Sequence, residues 1–99
     1  MGAIEGMKTL PFRVRKQFFD RIVAGTKTVE YRSDSPFWSS RARDAAVALF
    51  ICGRRTHRRL ITGVERVKTP AQLSPLDVDS ASCLCFSLGQ EVSEGKSLG

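Results

Sequence analysis

The sequence predicts an α+β fold: a small, partly closed β-barrel of about five strands, with one main helix and one short helical turn. Short runs rich in Val, Ile, Thr and aromatic residues recur along the chain, separated by Gly, Pro and Ser, which is the pattern of short strands. One segment, residues 15–24, instead repeats its apolar residues at helical spacing. The chain has 99 residues, so the strands and the helix must share a single modest core.

The first strand is predicted at Leu10–Val14, where Pro11 lies near the strand start, a position that tolerates proline. The main helix follows at residues 15–24. Its apolar side chains fall on one stripe, which must be buried: Phe18, Phe19, Ile22 and Val23. Gly25 comes directly after the helix and is expected to end it in the left-handed conformation.

The second strand is predicted at Thr26–Arg32, because Thr, Val and Tyr favour an extended chain. The residues that follow, Ser33-Asp34-Ser35-Pro36, are expected to end the strand. Residues 37–43 are then expected to form the short helical turn, with Asp34 or Ser35 as its cap and Pro36 at its first position.

Ala45–Cys52 is an unbroken apolar run, which is typical of an interior strand that is buried on both faces. Gly53–Thr56 predicts a hairpin turn, and His57–Lys68 returns as a long strand. Gly63 within this strand predicts a bulge or bend of the kind that barrels need.

The sequence of residues 69–76 is typical of a loop, with room for one helical turn. The last strand is predicted at Ser82–Leu88. The pattern therefore gives one domain over residues 10–92. Residues 1–9 and 93–99 show no clear period and are expected to be flexible termini.

Composition narrows the class of protein. Hydrophobic residues make up 41% of the chain, and no apolar run approaches the ~20 residues of a membrane helix. The first residues lack a secretory signal, and an odd number of cysteines, three, favours reduced thiols; together these predict a cytoplasmic protein. One histidine and no Cys-x-x-Cys pair argue against a structural zinc site, and no cofactor motif is present. We expect a monomer with no membrane partner.

The charge is large and uneven. The chain carries +6, but residues 1–68 hold 15 Lys/Arg against 6 Asp/Glu, a net charge of +9, and the remainder is acidic. A basic body favours an anionic partner such as nucleic acid. Solubility alone is the alternative, since small proteins often carry several net charges.

A polar group occupies the start of the second strand. Alternate residues of a strand share a face, so Thr28, Glu30 and Arg32 point the same way, with Lys27 next to them. Two cations and a carboxylate on a β-rich strand indicate either an internal ion-pair network or a polar binding site.

The pattern Gly25-x-Lys27-x-x-Glu30-x-Arg32 resembles the signature of the ASCH domain family, which belongs to the PUA-like superfamily. The spacing to Trp38 and Arg41 is similar to that of a small prokaryotic or phage-type subgroup. The resemblance covers residues 10–92. It implies a PUA-like barrel with the helix plugging one end, and a cleft that Lys27, Glu30 and Arg32 line. It also implies an RNA or nucleotide-like ligand.

Trp38, with Phe37, offers an aromatic face beside Arg41 and Arg43, on which a base can stack. The alternative is that Trp38 caps the core of the barrel. The densest positive segment spans the predicted hairpin tip and is expected to grip a phosphate backbone, unless it is merely a solvated turn: Arg54, Arg55, Arg58 and Arg59. His57 lies within this segment and has no visible catalytic partner.

The resemblance also bears on catalysis. Some ASCH relatives hydrolyse a modified cytidine or cleave RNA, and the deacylating ones use the signature lysine with a threonine and a later acid. Lys27 matches that lysine, whereas Glu30 stands in the place of the threonine, and no motif aligns Glu65, the nearest later acid. Lys27 and Glu30 are thus the catalytic candidates if the domain is a small hydrolase acting on RNA or a modified nucleoside. A protein-interaction adaptor is the third alternative.

Overall fold

The computed structural model describes residues 7–70 and 81–93. Five strands and two helices follow one another in the order β1, α1, β2, α2, β3, β4, β5. Their bounds are β1 Lys8–Arg13, α1 Lys16–Ala24, β2 Val29–Ser33, α2 Pro36–Ala42, β3 Ala45–Cys52, β4 Arg55–Lys68 and β5 Ser82–Glu91. The predicted α+β class, with about five strands and two helical segments, is confirmed.

The five strands form one curled half-barrel sheet in the order β1-β3-β4-β5-β2. β1 runs parallel to β3, and the other three neighbouring pairs are antiparallel. β1 and β2 are therefore the two edges of the sheet, and no strand pairing joins them within the described residues.

The concave face of the sheet holds an aromatic core. Phe12 stacks on Phe50 with ring centroids 5.4 Å apart and meets the edge of Phe86 at 5.0 Å. All three rings are fully buried. Because they come from β1, β3 and β5, they tie three strands of the sheet together through apolar burial.

Helix α1 forms at the predicted place and covers this core with Phe19 and Ile22, both of which are buried. The predicted stripe was wrong in its other two members, since Phe18 is half-buried and Val23 is exposed. Gly25 ends it with φ 85°, in the left-handed region. The Gly25 N–H donates to the carbonyl of Ile22 and the Thr26 N–H to that of Arg21, at 3.1 and 3.0 Å. These two bonds form a Schellman motif, in which glycine avoids a clash of Cβ with the backbone.

Helix α2 begins as the sequence pattern predicts, with Pro36 at its first position. Of the two candidate caps, the structure selects Ser35, whose Oγ accepts from the Trp38 N–H at 3.4 Å. Asp34 instead accepts from Arg66 Nε and from Ser82 Oγ, both at 2.7 Å. The hydrogen bond from Arg66 holds the pKa of Asp34 below its usual value.

β3 has the predicted bounds and lies between β1 and β4. A two-residue turn joins it to β4, and positive φ falls on Gly53 at 62° and not on Arg54. Glycine at the first turn position is the pattern of a type II′ hairpin. The β4–β5 register shifts between Arg59 and Ile61 and again between Ile61 and Gly63, so the predicted irregularity near Gly63 is present.

Several predicted boundaries were wrong. β1 begins at Lys8, inside the expected flexible lead-in, because Lys8 pairs with Ala45. β2 begins only at Val29, because the N–H groups of Thr26 and Lys27 both bond the carbonyl of Arg21 at the helix end. β4 begins at Arg55, since the turn is tighter than expected. β5 continues to Glu91, beyond the predicted end at Leu88.

The predicted loop at residues 69–76 lies largely outside the described residues, as do residues 1–6 and 94–99. The described residues on either side of the undescribed segment lie close together, since the Thr69 N–H donates to the Ala81 carbonyl at 2.9 Å. Val92 is buried and its N–H donates to the Arg58 carbonyl, so the described chain stays attached to the sheet beyond β5. None of the helices in residues 7–70 and 81–93 has the length and apolar character needed to cross a membrane.

Candidate nucleic-acid interface

Glu30 is the centre of the signature. In the β2–β5 ladder Glu30 pairs with Phe86 and Arg32 with Leu84, so both charged side chains share the concave face with core residues. The prediction that Glu30 and Arg32 share a face is confirmed. Only 7% of Glu30 is exposed. A carboxylate this buried needs charged or hydrogen-bonded partners.

Both oxygens of Glu30 have such partners. Arg32 donates to Oε2 from Nε at 3.0 Å, and its Nη2 lies 2.8 Å from the same oxygen. Lys27 Nζ lies 3.3 Å from Oε1 and donates to the Val29 carbonyl at 2.6 Å. The three signature side chains thus form an ion-pair network that orders the start of β2, which was one of the two alternatives left open by the sequence.

Arg32 does more than neutralise Glu30. Its Nη2 also donates to the carbonyl oxygen of Arg13 at 3.0 Å, which links β2 to the end of β1. The guanidinium lies 5.2 Å from the ring centroid of Phe12 and 5.1 Å from that of Trp38. It therefore bridges the open side of the half-barrel while in contact with aromatic rings.

Trp38 packs against the core, which was the structural alternative for this residue. Its ring stacks on Phe12 with centroids 5.3 Å apart and planes 9° apart, and it meets the edge of Phe86 at 6.3 Å. Phe37, its neighbour on α2, is instead 53% exposed. Arg41 lies over the Phe37 ring, with Cζ 3.6 Å from the centroid. The accessible aromatic surface at this place thus belongs to Phe37.

Cations gather where β1 ends and the β3–β4 hairpin turns. Arg13 pairs with Ile51 in the β1–β3 ladder, and the Val14 N–H donates to the Ile51 carbonyl at 3.0 Å. The hairpin turn at Gly53 and Arg54 follows directly after β3. We call this cluster the basic rim; it comprises Arg13, Arg15, Lys16, Arg54 and Arg55.

One carboxylate, that of Asp20, pairs with the basic rim. Lys16 Nζ lies 2.7 Å from Asp20 Oδ2, and Arg55 Nη1 lies 3.2 Å from Oδ1. The hydrogen bond from Lys16, with that from Arg55, holds the pKa of Asp20 below its usual value. Within the described ranges, no carboxylate pairs with the three other rim cations, and all three are exposed: Arg13, Arg15 and Arg54.

The first turn of α1 borders the same cluster. Arg15 occupies the N-cap position, but no side chain caps the helix there, and the first turn contains no acidic residue. The N-terminal end of the helix dipole adds partial positive charge to that of the basic rim.

The four arginines of the predicted hairpin tip do different things. Arg54 and Arg55 belong to the basic rim. Arg58 is half-buried on β4. Arg59 points inward: Nη2 donates to the Ile22 carbonyl at 2.9 Å, Nη1 to the Gly89 carbonyl at 3.1 Å, and Nε to His57 Nε2 at 3.2 Å. Arg59 thus ties α1 and β5 to β4, and its guanidinium is engaged inside the fold.

His57 is buried beneath this arginine. Its Nδ1 lies 3.9 Å from a carboxylate oxygen of Glu91, and its ring meets the edge of Phe19 at 6.4 Å. Burial lowers the pKa of His57, although Glu91 partly offsets this shift. A neutral ring that accepts from Arg59 through Nε2 carries its proton on Nδ1.

Glu65, the nearest later acid among the described residues, does not lie beside the catalytic candidates. Glu65 pairs with Cys85, whereas Glu30 pairs with Phe86, the next residue of β5. Adjacent residues of a strand face opposite sides, so Glu65 lies on the other face of the sheet from Glu30 and Lys27. Glu65 therefore does not complete a catalytic group with them. No group of three or more potential metal-binding side chains occurs in the part of the chain that the structure describes.

Three rim cations were not among the predicted site residues: Arg13, Arg15 and Lys16. These three cations lie within four residues of the sequence, and only the parallel pairing of β1 with β3 brings them to the hairpin. Comparison of the chain with protein-family models, curated proteins and solved structures gives no match. The ASCH and PUA-like assignment therefore rests on the signature residues and stays a prediction.

Proposed function

We propose that this domain binds RNA and that the basic rim holds the phosphate backbone. The observation that carries the proposal is the rim itself: five cations surround one end of the sheet, and one carboxylate pairs with two of them. Phosphate contacts by Lys and Arg supply most of the sequence-independent affinity of nucleic-acid-binding proteins. The net charge of +6 adds long-range attraction for a polyanion.

The signature residues have a positioning role in this proposal. Glu30 and Lys27 order the start of β2, and Arg32 fixes β2 to the end of β1 beside Arg13. The rim member on β1 is thereby held in place from the interior. The resemblance of the signature to the ASCH family supports the same ligand class, and the curled five-stranded sheet is compatible with a PUA-like barrel.

The test is binding of a fluorescently labelled single-stranded RNA of about 12 nucleotides, followed by anisotropy at low salt; such a length offers several phosphates to the rim at once. The rim variant is Arg15→Gln/Arg54→Gln, which removes two exposed cations. The matched control is Arg21→Gln/Lys68→Gln, which removes the same charge at the last turn of α1 and the far end of β4.

The proposal expects the rim variant to bind more weakly than the control variant, although the two have the same net charge. Equal weakening in both would indicate attraction by net charge alone and would contradict a site at the rim. Absence of wild-type binding at low salt, where electrostatic attraction is strongest, would remove the proposal altogether.

A further inference from the structure

Phe37 is the exception among the aromatic residues. The other seven rings, all in the described ranges, are buried or half-buried, whereas Phe37 is 53% exposed at the second position of α2. Its ring makes no contribution to the buried core cluster. An exposed aromatic ring beside an exposed arginine, Arg41, is a feature that core packing does not explain.

The ring is nevertheless held firmly. Arg41 lies one helical turn later, with Cζ 3.6 Å from the Phe37 centroid, and its Nη1 donates to the Phe37 carbonyl at 3.0 Å. Trp38 meets Phe37 edge to face, with centroids 5.3 Å apart and planes 77° apart. Trp38 itself is fixed by its stack on Phe12. The flat groups of Phe37 and Arg41 are therefore ordered before any ligand arrives, which lowers the entropy cost of binding.

A chain of contacts connects this pair to the basic rim. Trp38 lies against Arg32, and Arg32 bonds the carbonyl of Arg13, a rim residue. The other end of α2 lies near the start of β1, since Lys8 Nζ donates to the Arg43 carbonyl at 2.8 Å. Helix α2 therefore runs beside β1, and Phe37 lies in the half of α2 that is nearer to the rim.

We propose that the stacked pair of Phe37 and Arg41 is a base-stacking platform that makes the interface prefer single-stranded over double-stranded RNA. This inference rests on the RNA-binding function proposed above. Aromatic rings and guanidinium planes both stack on unpaired bases, whatever the sequence. In a duplex the base faces are covered by their neighbours, so only the phosphates remain for the rim. The platform thus adds affinity for single strands alone.

The experiment compares wild type with Phe37→Leu, which keeps an apolar side chain but removes the ring. Anisotropy is measured with one labelled single strand, with the same strand annealed to its complement, and with an abasic strand of equal length. We expect Phe37→Leu to lose about tenfold or more in affinity for the single strand, as for one lost stacking contact. Its affinity for the duplex and for the abasic strand should match that of wild type.

Three further variants sharpen the comparison. Phe37→Tyr keeps a ring and should retain single-strand affinity. Arg41→Lys keeps the charge but loses the planar guanidinium, so it should weaken single-strand binding and leave duplex binding unchanged. Val23→Leu alters an exposed apolar residue on α1 and should change neither. Circular dichroism confirms that each variant is folded.

The outcomes separate the two proposals. If wild type binds no RNA, the proposed function fails. If wild type binds RNA but Phe37→Leu binds the single strand equally well, the function stands and the stacking platform is wrong. An equal loss for duplex and single strand would also overturn the platform, because it would show that Phe37 does not contact bases.

Discussion

Arg32 Nη2 donates to the carbonyl oxygen of Arg13 at 3.0 Å and thereby joins the two edge strands of the sheet. No backbone ladder connects β1 and β2 in the described residues, so this side-chain bond spans the opening of the half-barrel. The same guanidinium pairs with Glu30. One buried carboxylate thus orients the arginine that closes the sheet, which connects the polar signature directly to the architecture.

Replacing Glu30 should therefore destabilise the fold. Glu30→Ala leaves Lys27 and Arg32 without their shared partner, and we expect a loss of about 1–3 kcal/mol in the free energy of unfolding. Urea denaturation followed by tryptophan fluorescence measures it. Glu65→Ala is the control, since Glu65 is an exposed carboxylate on the other face. Similar losses in both variants would show that the network around Glu30 adds no stability.

Arg59 should behave as a structural residue and not as a surface cation. Its three donors reach three acceptors on α1, β4 and β5, and a lysine offers a single nitrogen in their place. We expect Arg59→Lys to cost about 1–3 kcal/mol of unfolding free energy, because partly buried acceptors lose their donors. Arg54→Lys makes the same substitution at the exposed hairpin turn and serves as the control. We expect it to leave the free energy of unfolding almost unchanged. Full stability of Arg59→Lys would contradict the internal role.

The single histidine should make stability depend on pH near neutrality. Because burial holds the pKa of folded His57 below that of the unfolded chain, the unfolded state takes up the proton first as the pH falls. The unfolding free energy should thus be greatest above the unfolded pKa of about 6.5 and decrease as the pH falls below it. Urea titrations between pH 5 and 7.5 measure this slope.

His57→Gln provides the comparison for that slope, since glutamine does not titrate and can still accept from Arg59. Its stability should be nearly constant over the same range. The carboxylates of Asp20 and Asp34, whose pKa values are lowered, lose their protons at more acidic pH and contribute little there. A slope that persists in His57→Gln would have to come from other groups.

Salt should reveal how many phosphates the basic rim holds. Affinity for a single-stranded RNA is expected to fall with rising salt, with a slope of about −0.7 in log–log form for each phosphate contact. Arg15→Gln/Arg54→Gln should reduce the size of that slope by about 1.4, or two contacts. Anisotropy titrations at four or more salt concentrations measure both slopes. An unchanged slope in this variant would place the phosphate contacts elsewhere.

The elements predicted best from sequence are those with a complete local signal. Ala45–Cys52 was placed without error because the unbroken apolar run has sharp ends, with Asp44 before it and Gly53 after it. The end of α1 was placed correctly because Gly25 supplies the left-handed residue that a Schellman motif requires. The Glu30–Arg32 pair followed from the two-residue period of a strand.

What the sequence did not reveal depends on long-range pairing. Arg59 lies opposite Ala48 and His57 opposite Phe50, so the β3–β4 register alone decides that both polar residues face inward. The basic rim likewise exists only because β1 lies beside β3. Phe37 and Trp38 are adjacent in the sequence, and which of the two rings packs against the core depends on where α2 meets Phe12.

The strand order has a consequence for how the chain folds. In the described sheet, β2 forms a ladder only with β5, the last of the described strands. β1, α1 and the β3–β4 hairpin can assemble from nearer parts of the sequence. β2, which carries Glu30 and Arg32, can form its ladder only after residues 83–87 are present. Closing so long a loop is slow, because its entropy cost comes before the contacts that compensate for it. During synthesis, Glu30 and Arg32 thus remain in water until residues 83–87 have been made.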